Sequence, residues 1–206
     1  SMTRVMIPEL SICNTGSVAN MVRRAGGDPV IVSKPTDECL SQKLILPGLG
    51  AFDAGIGALH AAGWYEFLKR RSSGDAPAML GICLGMQMLF DGSEEGSLPG
   101  LGLIPGEVIR FRDTSPPLRV PHMGWNELDV IKPCELLEPY TADGRHPRFY
   151  FVHTFHAVCG DPQDLVATAD YGGPITAVAR RGKIFGTKFH PEKSHRFRLS
   201  LIKRFV

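Results

Sequence analysis

The stretch GICLGMQMLF, residues 81–90, places one cysteine between two glycines where an apolar run changes to a helical pattern. The glycines permit a sharp turn and leave space around the side chain of Cys83, whose thiolate would be a strong nucleophile. The helix predicted to begin at Leu84 offers unpaired backbone N–H groups, which favour a thiolate and an oxyanion beside it. A free cysteine that serves only as a small buried hydrophobe is the alternative at this point.

A nucleophilic cysteine generally needs a nearby base and a group that orients the base. His190 ends an apolar run in FGTKFHPEKS, and Glu192 follows two residues later. A carboxylate on one imidazole nitrogen fixes the tautomer and leaves the other nitrogen facing the sulfur. His190 and Glu192 are therefore the candidate partners of Cys83, whereas the apolar surroundings of His153 and His156 favour a place in the core.

Short apolar runs and helical patterns alternate through the first half of the chain. The predicted strands are residues 4–7, 29–33, 43–48 and 76–82. Residues 17–26 are predicted to form a helix, and residues 54–71 one or two helices. This alternation predicts an α/β fold with a largely parallel central sheet, helices on both faces, and ligands beyond the carboxyl ends of the strands. Alternating runs after Phe90 predict an antiparallel extension of the sheet. No linker divides the chain, so we expect residues 1–206 to form a single domain.

Composition limits the possible partners and compartments. A net charge of +2 over 206 residues gives no argument for a nucleic-acid or membrane partner. The five cysteines include no C-x-x-C pair, which argues against a disulfide framework or a zinc site. No apolar run approaches the roughly 20 residues of a membrane span. We expect a cytoplasmic protein without a cofactor or metal.

Three motifs, PGLGAF (47–52), GICLGMQ (81–87) and FHPEKS (189–194), together resemble the class I glutamine amidotransferases with a Cys-His-Glu triad. The motifs GLGLIPGEVIRF (100–111), VPHMGWN (120–126) and YFVHTFHA (150–157) narrow the resemblance to glutaminase subunits of imidazole glycerol phosphate synthase. The resemblance runs in order over nearly the whole chain. It implies the fold of this class, which is a flavodoxin-like mixed sheet.

The resemblance also implies a reaction. Cys83 would attack the side-chain carboxamide of L-glutamine, His190 would protonate the departing ammonia, and Glu192 would orient His190. Water would then hydrolyse the thioester to glutamate. The implied substrate-binding residues, which supply oxyanion donors or hold the glutamine, are Gly48, Leu49, Gly50, Leu84, Gln87, Thr154 and Phe155.

Ammonia must pass directly to its acceptor, because ammonium, the main form at neutral pH, is not a nucleophile. The resemblance implies a heterodimer with a (β/α)₈ cyclase subunit that makes imidazole glycerol phosphate and AICAR in histidine biosynthesis. The implied partner-interface residues are Asn14, His122, Met123, Trp125, Asn126 and Lys188. Trp125 could instead lie in the core. We expect little activity from the isolated subunit, because its oxyanion site would be unformed.

The sequence departs from the family pattern at two places. Glu9–Asn14 lacks both glycines of the usual Asp-Tyr-Gly-x-Gly-Asn, so a turn with positive φ there would be strained or rebuilt. Lys188 stands where the family commonly has glutamine, on the same face of its strand as His190. An ammonium group there would disfavour protonated His190 and favour the Cys83 thiolate.

Three alternative functions differ in the acceptor or in the chemistry. The segments NTGSVANMVRRAGG and EKSHRFR resemble paralogous glutaminase subunits that deliver ammonia to a sugar amidotransferase of surface polysaccharides. The triad chemistry would then be the same and only the acceptor would differ. A cysteine hydrolase such as a peptidase, and a non-catalytic flavodoxin-like binding module, are the alternatives from other classes.

Overall fold

The computed structural model describes residues 2–111, 122–138, 148–188 and 195–206. For residues 122–123, 149, 151–153 and 195–198 it describes the backbone alone.

The first half of the chain contains the alternating strands and helices that the sequence predicts. The elements are β1 (Arg4–Pro8), α1 (Thr15–Arg24), β2 (Asp28–Val32), a 3-10 helix (Asp37–Leu40), β3 (Lys43–Leu46), α2 (Phe52–Ala61), α3 (Trp64–Ser72) and β4 (Met79–Ile82). The predicted helical segment 54–71 is two helices, because Gly63 takes a left-handed conformation with φ of 80° between them.

Short strands dominate the second half, again as predicted. The elements are α4 (Leu84–Gln87), β5 (Gly92–Ser93), β6 (Gly106–Arg110), β7 (His122–Glu127), β8 (Asp129–Val130), β9 (Arg148–His153), β10 (Phe155–Cys159), a 3-10 helix (Pro162–Asp164), β11 (Leu165–Asp170), β12 (Pro174–Arg181), β13 (Ile184–Thr187) and α5 (His195–Phe205). No helix within the described ranges is long and apolar enough to cross a membrane.

The main sheet has eight strands in the order β2-β1-β3-β4-β13-β12-β11-β8. The first five strands are parallel, and β12, β11 and β8 extend the sheet in antiparallel fashion. Strands β10, β6 and β5 form a second sheet, and β7 and β9 form a two-stranded third. This topology confirms the predicted mixed sheet, and it brings the carboxyl ends of β4 and β13 together.

Side chains of each central strand alternate between two hydrophobic clusters. Val5 and Ile7 of β1 belong to a cluster that includes residues of α1 and α5, and Met6 belongs to one that includes residues of α2 and α3. Because successive strand residues point to opposite faces, the helices cover both faces of the sheet. The sheet between these two layers of helices positions the residues at the carboxyl ends of its strands.

The turn after β1 is rebuilt without its usual glycines. None of residues 9–14 has positive φ. The N–H of Glu9 donates to the carbonyl of Val32 at 2.8 Å, and that of Cys13 donates to the carbonyl of Leu10 at 3.2 Å. Asn14 then caps α1 by accepting the N–H of Ser17. The departure at this turn is therefore accommodated without a left-handed residue.

Candidate active site

Cys83 occupies a strained turn between β4 and α4. Its φ of 56° and ψ of −114° make it the only non-glycine residue with positive φ in the part of the chain that the structure describes. Such a conformation costs on the order of 1–3 kcal/mol and persists where the surroundings enforce it. Here the N–H of Cys83 donates to the carbonyl of Thr187 at 2.9 Å. The strand, strained turn and helix follow one another as in a nucleophile elbow.

The two glycines that flank Cys83 allow close packing of the backbone. A Cβ on Gly85 would lie 1.9 Å from the carbonyl oxygen of Leu46, and one on Gly81 would lie 2.7 Å from the carbonyl oxygen of Gly85. Neither glycine has positive φ. The cysteine itself therefore takes the strained conformation. Gly85 lets the turn pack against β3, and Gly81 lets β4 pack against α4.

Three other cysteines are poorer candidates for the nucleophile. Burial raises the pKa of Cys13 and of Cys134, and it raises the pKa of Cys159 to about 11. A thiol with a raised pKa holds little thiolate at neutral pH. The raised pKa argues against these three thiols as the nucleophile, whereas the position of Cys83 in the strained turn favours it.

The glycine-rich segment Gly48–Gly50 follows β3 and lies against the Cys83 turn. The N–H of Leu84, predicted to bind the oxyanion, donates to the carbonyl of Gly48 at 3.2 Å. Leu49 is 48% exposed, and Gly50 has a φ of 99°. One expected oxyanion donor is thus engaged within the chain.

Glu95 is a residue near the glycine-rich segment that the sequence motifs did not single out. Its Oε1 accepts the N–H of Phe52, the first residue of α2, at 2.7 Å. The N-cap residue of α2, Ala51, has no side-chain acceptor, so Glu95 caps this helix from another loop. The only indication of this contact in the sequence is that the side chain of Ala51 cannot accept a hydrogen bond from the first turn of α2, so the acceptor must come from another segment.

Asp53 completes a reciprocal contact between α2 and the loop that carries Glu95. Its carboxylate accepts the N–H of Ser97 at 2.9 Å and the N–H of Leu98 at 3.0 Å. These hydrogen bonds lower the pKa of Asp53. A Cβ on Gly96 would lie 2.1 Å from Asp53 Oδ1. The loop of residues 93–98 is therefore fixed to the first turn of α2, directly after the glycine-rich segment.

Lys188 is buried inside the chain, although we expected it at a partner interface. The residue is only 4% exposed, and it directly follows β13 beside Cys83. Burial lowers the pKa of Lys188 to about 8, while the negative charges of Cys83 and Glu95 act in the opposite direction. The predicted contact with His190 is untested, because His190 and Glu192 lie outside the described residues.

The remaining predicted substrate contacts lie on α4 and β10. Gln87 is buried, and its N–H donates to the carbonyl of Cys83 at 3.1 Å, so the two residues share one turn. Thr154 and Phe155 are half-buried at the start of β10. Arg110 pairs with Phe155, and its guanidinium carbon lies 5.7 Å from the centre of that ring.

The predicted interface residues divide into exposed and internally bonded side chains. Trp125 is 44% exposed and packs edge-on to Tyr150, with ring centres 5.9 Å apart, so the core alternative for Trp125 is wrong. Asn126 instead donates from Nδ2 to the carbonyl of Asp170 at 3.0 Å. Asn14 is exposed as the cap of α1. The side chains of His122 and Met123 lie outside the described atoms.

The described ranges contain no group of three or more His, Cys, Asp or Glu side chains that could hold a metal ion.

The structure has a strained cysteine at the carboxyl end of a strand in a flavodoxin-like sheet. This arrangement is consistent with the protein family that the sequence matches. The model of the glutamine amidotransferase class-I family matches residues 13–206. The chain therefore belongs to the class-I glutamine amidotransferases. This membership confirms the predicted class and argues against a peptidase or a non-catalytic binding module.

Similarity to individual proteins indicates a narrower group within this class, the HisH subunits of imidazole glycerol phosphate synthase. The chain is 36% identical to imidazole glycerol phosphate synthase subunit HisH 2 of Methanococcus maripaludis, 40% identical to HisH 2 of Pseudomonas aeruginosa and 38% identical to HisH of Bdellovibrio bacteriovorus. Each similarity covers 98% of this chain and 98% of the relative.

Solved structures independently support the fold. PurLQS from Thermotoga maritima matches with a TM-score of 0.70 at 21% identity, over 100% of this chain and 96% of that one. The glutaminase domain of Trypanosoma brucei CTPS matches with a TM-score of 0.65 at 13% identity, over 100% of this chain and 94% of that one.

Proposed function

We propose that this chain is the glutaminase subunit of an imidazole glycerol phosphate synthase, and that it hydrolyses L-glutamine to supply ammonia for histidine biosynthesis. The similarity to HisH subunits over almost the full length of both chains supports the assignment. The observation that carries the chemistry is the strained conformation of Cys83 at the carboxyl end of β4.

The proposed reaction has two steps. Cys83 Sγ bonds to the carboxamide carbon of glutamine, and the C–N bond breaks as His190 gives a proton to the departing ammonia. Water then attacks the γ-glutamyl thioester, His190 takes up a proton, and glutamate and the free thiol are released. Glu192 keeps the imidazole oriented in both steps.

The tetrahedral intermediate in each step needs donors for its oxyanion. The N–H of Leu84 is one candidate, and others belong to Leu49 and Gly50. Because the Leu84 N–H donates to Gly48 in this structure, that hydrogen bond must open before the amide can serve the reaction. This geometry supports the expectation that the isolated chain turns over slowly.

A cyclase subunit is the proposed partner and would form a heterodimer with this chain. Ammonia released into water would become protonated, so a direct path to the acceptor is needed. The exposed indole of Trp125 supports docking on this side of the molecule, since aromatic side chains are common anchors at interfaces.

Reconstitution with the cyclase subunit tests the assignment. We expect glutamine-dependent formation of imidazole glycerol phosphate, which Cys83→Ala abolishes while ammonium salts at high pH still support synthesis. Glutamine-dependent amination of a surface sugar by another partner, without formation of imidazole glycerol phosphate, would transfer the chain to the alternative pathway.

A further inference from the structure

Lys188 and Cys83 are neighbours because two strands end together. Ile82 of β4 pairs with Thr187 of β13, and the next residue of each strand is Cys83 or Lys188. Cys83 Sγ lies 3.6 Å from the carbonyl oxygen of Lys188. A carbonyl oxygen carries partial negative charge, so at this distance it disfavours a thiolate unless a nearby cation offsets it.

The Lys188 side chain is a buried cation with a small set of neighbours that titrate. In the described part of the chain these are Cys83, from the turn after β4, and Glu95, from the loop after β5. Helix α4 carries no ionisable side chain. Arg180 and Arg181 of β12 pair with the far end of β13, opposite Phe185 and Ile184.

Burial and the two anions act on Lys188 in opposite directions. A buried ammonium group is costly unless negative charge accompanies it. Burial lowers the pKa of Lys188 to about 8, and Cys83 and Glu95 counter part of that effect. The ammonium form therefore predominates at neutral pH, where a glutaminase would need its thiolate.

We propose that Lys188 is a positioning residue that keeps Cys83 in its thiolate form and links it electrostatically to the carboxylate of Glu95. Glu95 accepts the N–H of Phe52 at 2.7 Å, immediately after the Gly48–Gly50 segment. The cluster therefore contains both the nucleophile and Glu95, the residue that caps the helix after the Gly48–Gly50 segment. The inference rests on the proposed role of Cys83 and adds to it a cation outside the triad.

Alkylation of the intact chain by iodoacetamide across pH tests the proposal, with Cys83 followed by peptide mass spectrometry. In Lys188→Gln and Lys188→Met we expect the midpoint of Cys83 reactivity to rise by about one pH unit or more, because an adjacent positive charge is lost. Lys188→Arg should restore most of the shift. Loss of packing alone would not move the midpoint in this charge-dependent order.

Lys183→Gln is the matched control. It makes the same substitution just before the other end of β13, at an exposed lysine that pairs with Asp75 at 3.4 Å. Its Cys83 midpoint should equal that of the wild type. An unchanged midpoint in folded Lys188→Gln and Lys188→Met proteins would overturn the proposal.

A reciprocal measurement decides the matter if neither neutral variant folds. Since Cys83 raises the pKa of Lys188, Cys83→Ser should lower the Lys188 midpoint in a 13C NMR titration of lysine side chains. An identical midpoint in wild type and Cys83→Ser would refute the link. Both assays omit glutamine and the partner. If the variants show these shifts but the wild type has no glutaminase activity even with the cyclase subunit, the proposed function is refuted and this inference still stands.

Discussion

The backbone N–H of Leu84 donates to the carbonyl oxygen of Gly48 across 3.2 Å. An amide that the reaction would use for its oxyanion is therefore already engaged in a hydrogen bond within the chain. Gly48 belongs to the loop after β3, whereas Leu84 is the first residue of α4. A shift of the glycine-rich segment would release the amide without moving Cys83. Activity would then depend on whatever stabilises the shifted segment.

The first prediction concerns activation by the partner. Losing one oxyanion donor typically lowers kcat by about 100- to 1,000-fold. We therefore expect the cyclase subunit to raise the kcat of glutamine hydrolysis by a factor of that order over the isolated chain. Steady-state glutamate release with and without the partner measures the effect. Equal turnover in the two conditions would contradict it.

The second prediction concerns the close packing behind Cys83. Gly85→Ala places a Cβ 1.9 Å from the carbonyl oxygen of Leu46, and backbone on both sides must shift. We expect a loss of about 1–3 kcal/mol in the free energy of unfolding, together with loss of Cys83 labelling by a glutamine-mimicking electrophile. Denaturant melts and mass spectrometry measure these effects.

Gly57→Ala is the control for the Gly85 variant. Gly57 lies in α2 with nothing within 4 Å of its added Cβ, so alanine there should leave stability unchanged or increase it slightly. If both alanine variants behaved alike, contact with Leu46 would not be the reason for the glycine at position 85.

The third prediction concerns pH and the contact between α2 and residues 93–98. The pKa of Asp53 is lowered from its ordinary value of 3.8 by N–H groups of Ser97 and Leu98. A carboxyl group with a depressed pKa stabilises the fold above its unfolded pKa, and that stability is lost as pH falls through the folded value. Asp53→Ala should therefore lower Tm most at pH 6–7, and the difference should shrink below about pH 4. A difference in Tm that is constant with pH would contradict this.

The fourth prediction concerns docking of the partner through Trp125. Trp125→Ala should weaken binding of the cyclase subunit by roughly 30-fold or more, as expected for an interface hot spot of about 2 kcal/mol. Its Tm should change little, because the indole is half-exposed. Calorimetric titration measures the affinity. Ile31→Ala, an exposed aliphatic residue on strand β2 at the sheet edge, serves as the control and should leave the affinity unchanged.

Local features were predictable from the sequence because they depend on residues close together along the chain. The alternation of apolar runs and helices indicated the mixed sheet, and GICLGMQ indicated the turn at Cys83. The break at Gly63 was less clear, since the apolar pattern continues through it and only its left-handed conformation divides the helices. The role of the flanking glycines also needed the structure, because their neighbours come from β3 and from α4.

The sequence by itself determined the class of the protein through the resemblance of its motifs to a known family. It also indicated Cys83 as the candidate nucleophile, because residue type and short-range spacing predict strand, turn and helix. Only the tertiary structure decided that Leu84 donates to Gly48, that Glu95 caps α2, and that Lys188 is buried beside Cys83. Each of these contacts joins segments far apart along the chain. They follow from the order of the strands and from the packing of loops and helices around them in the folded chain, which spacing along the sequence does not encode.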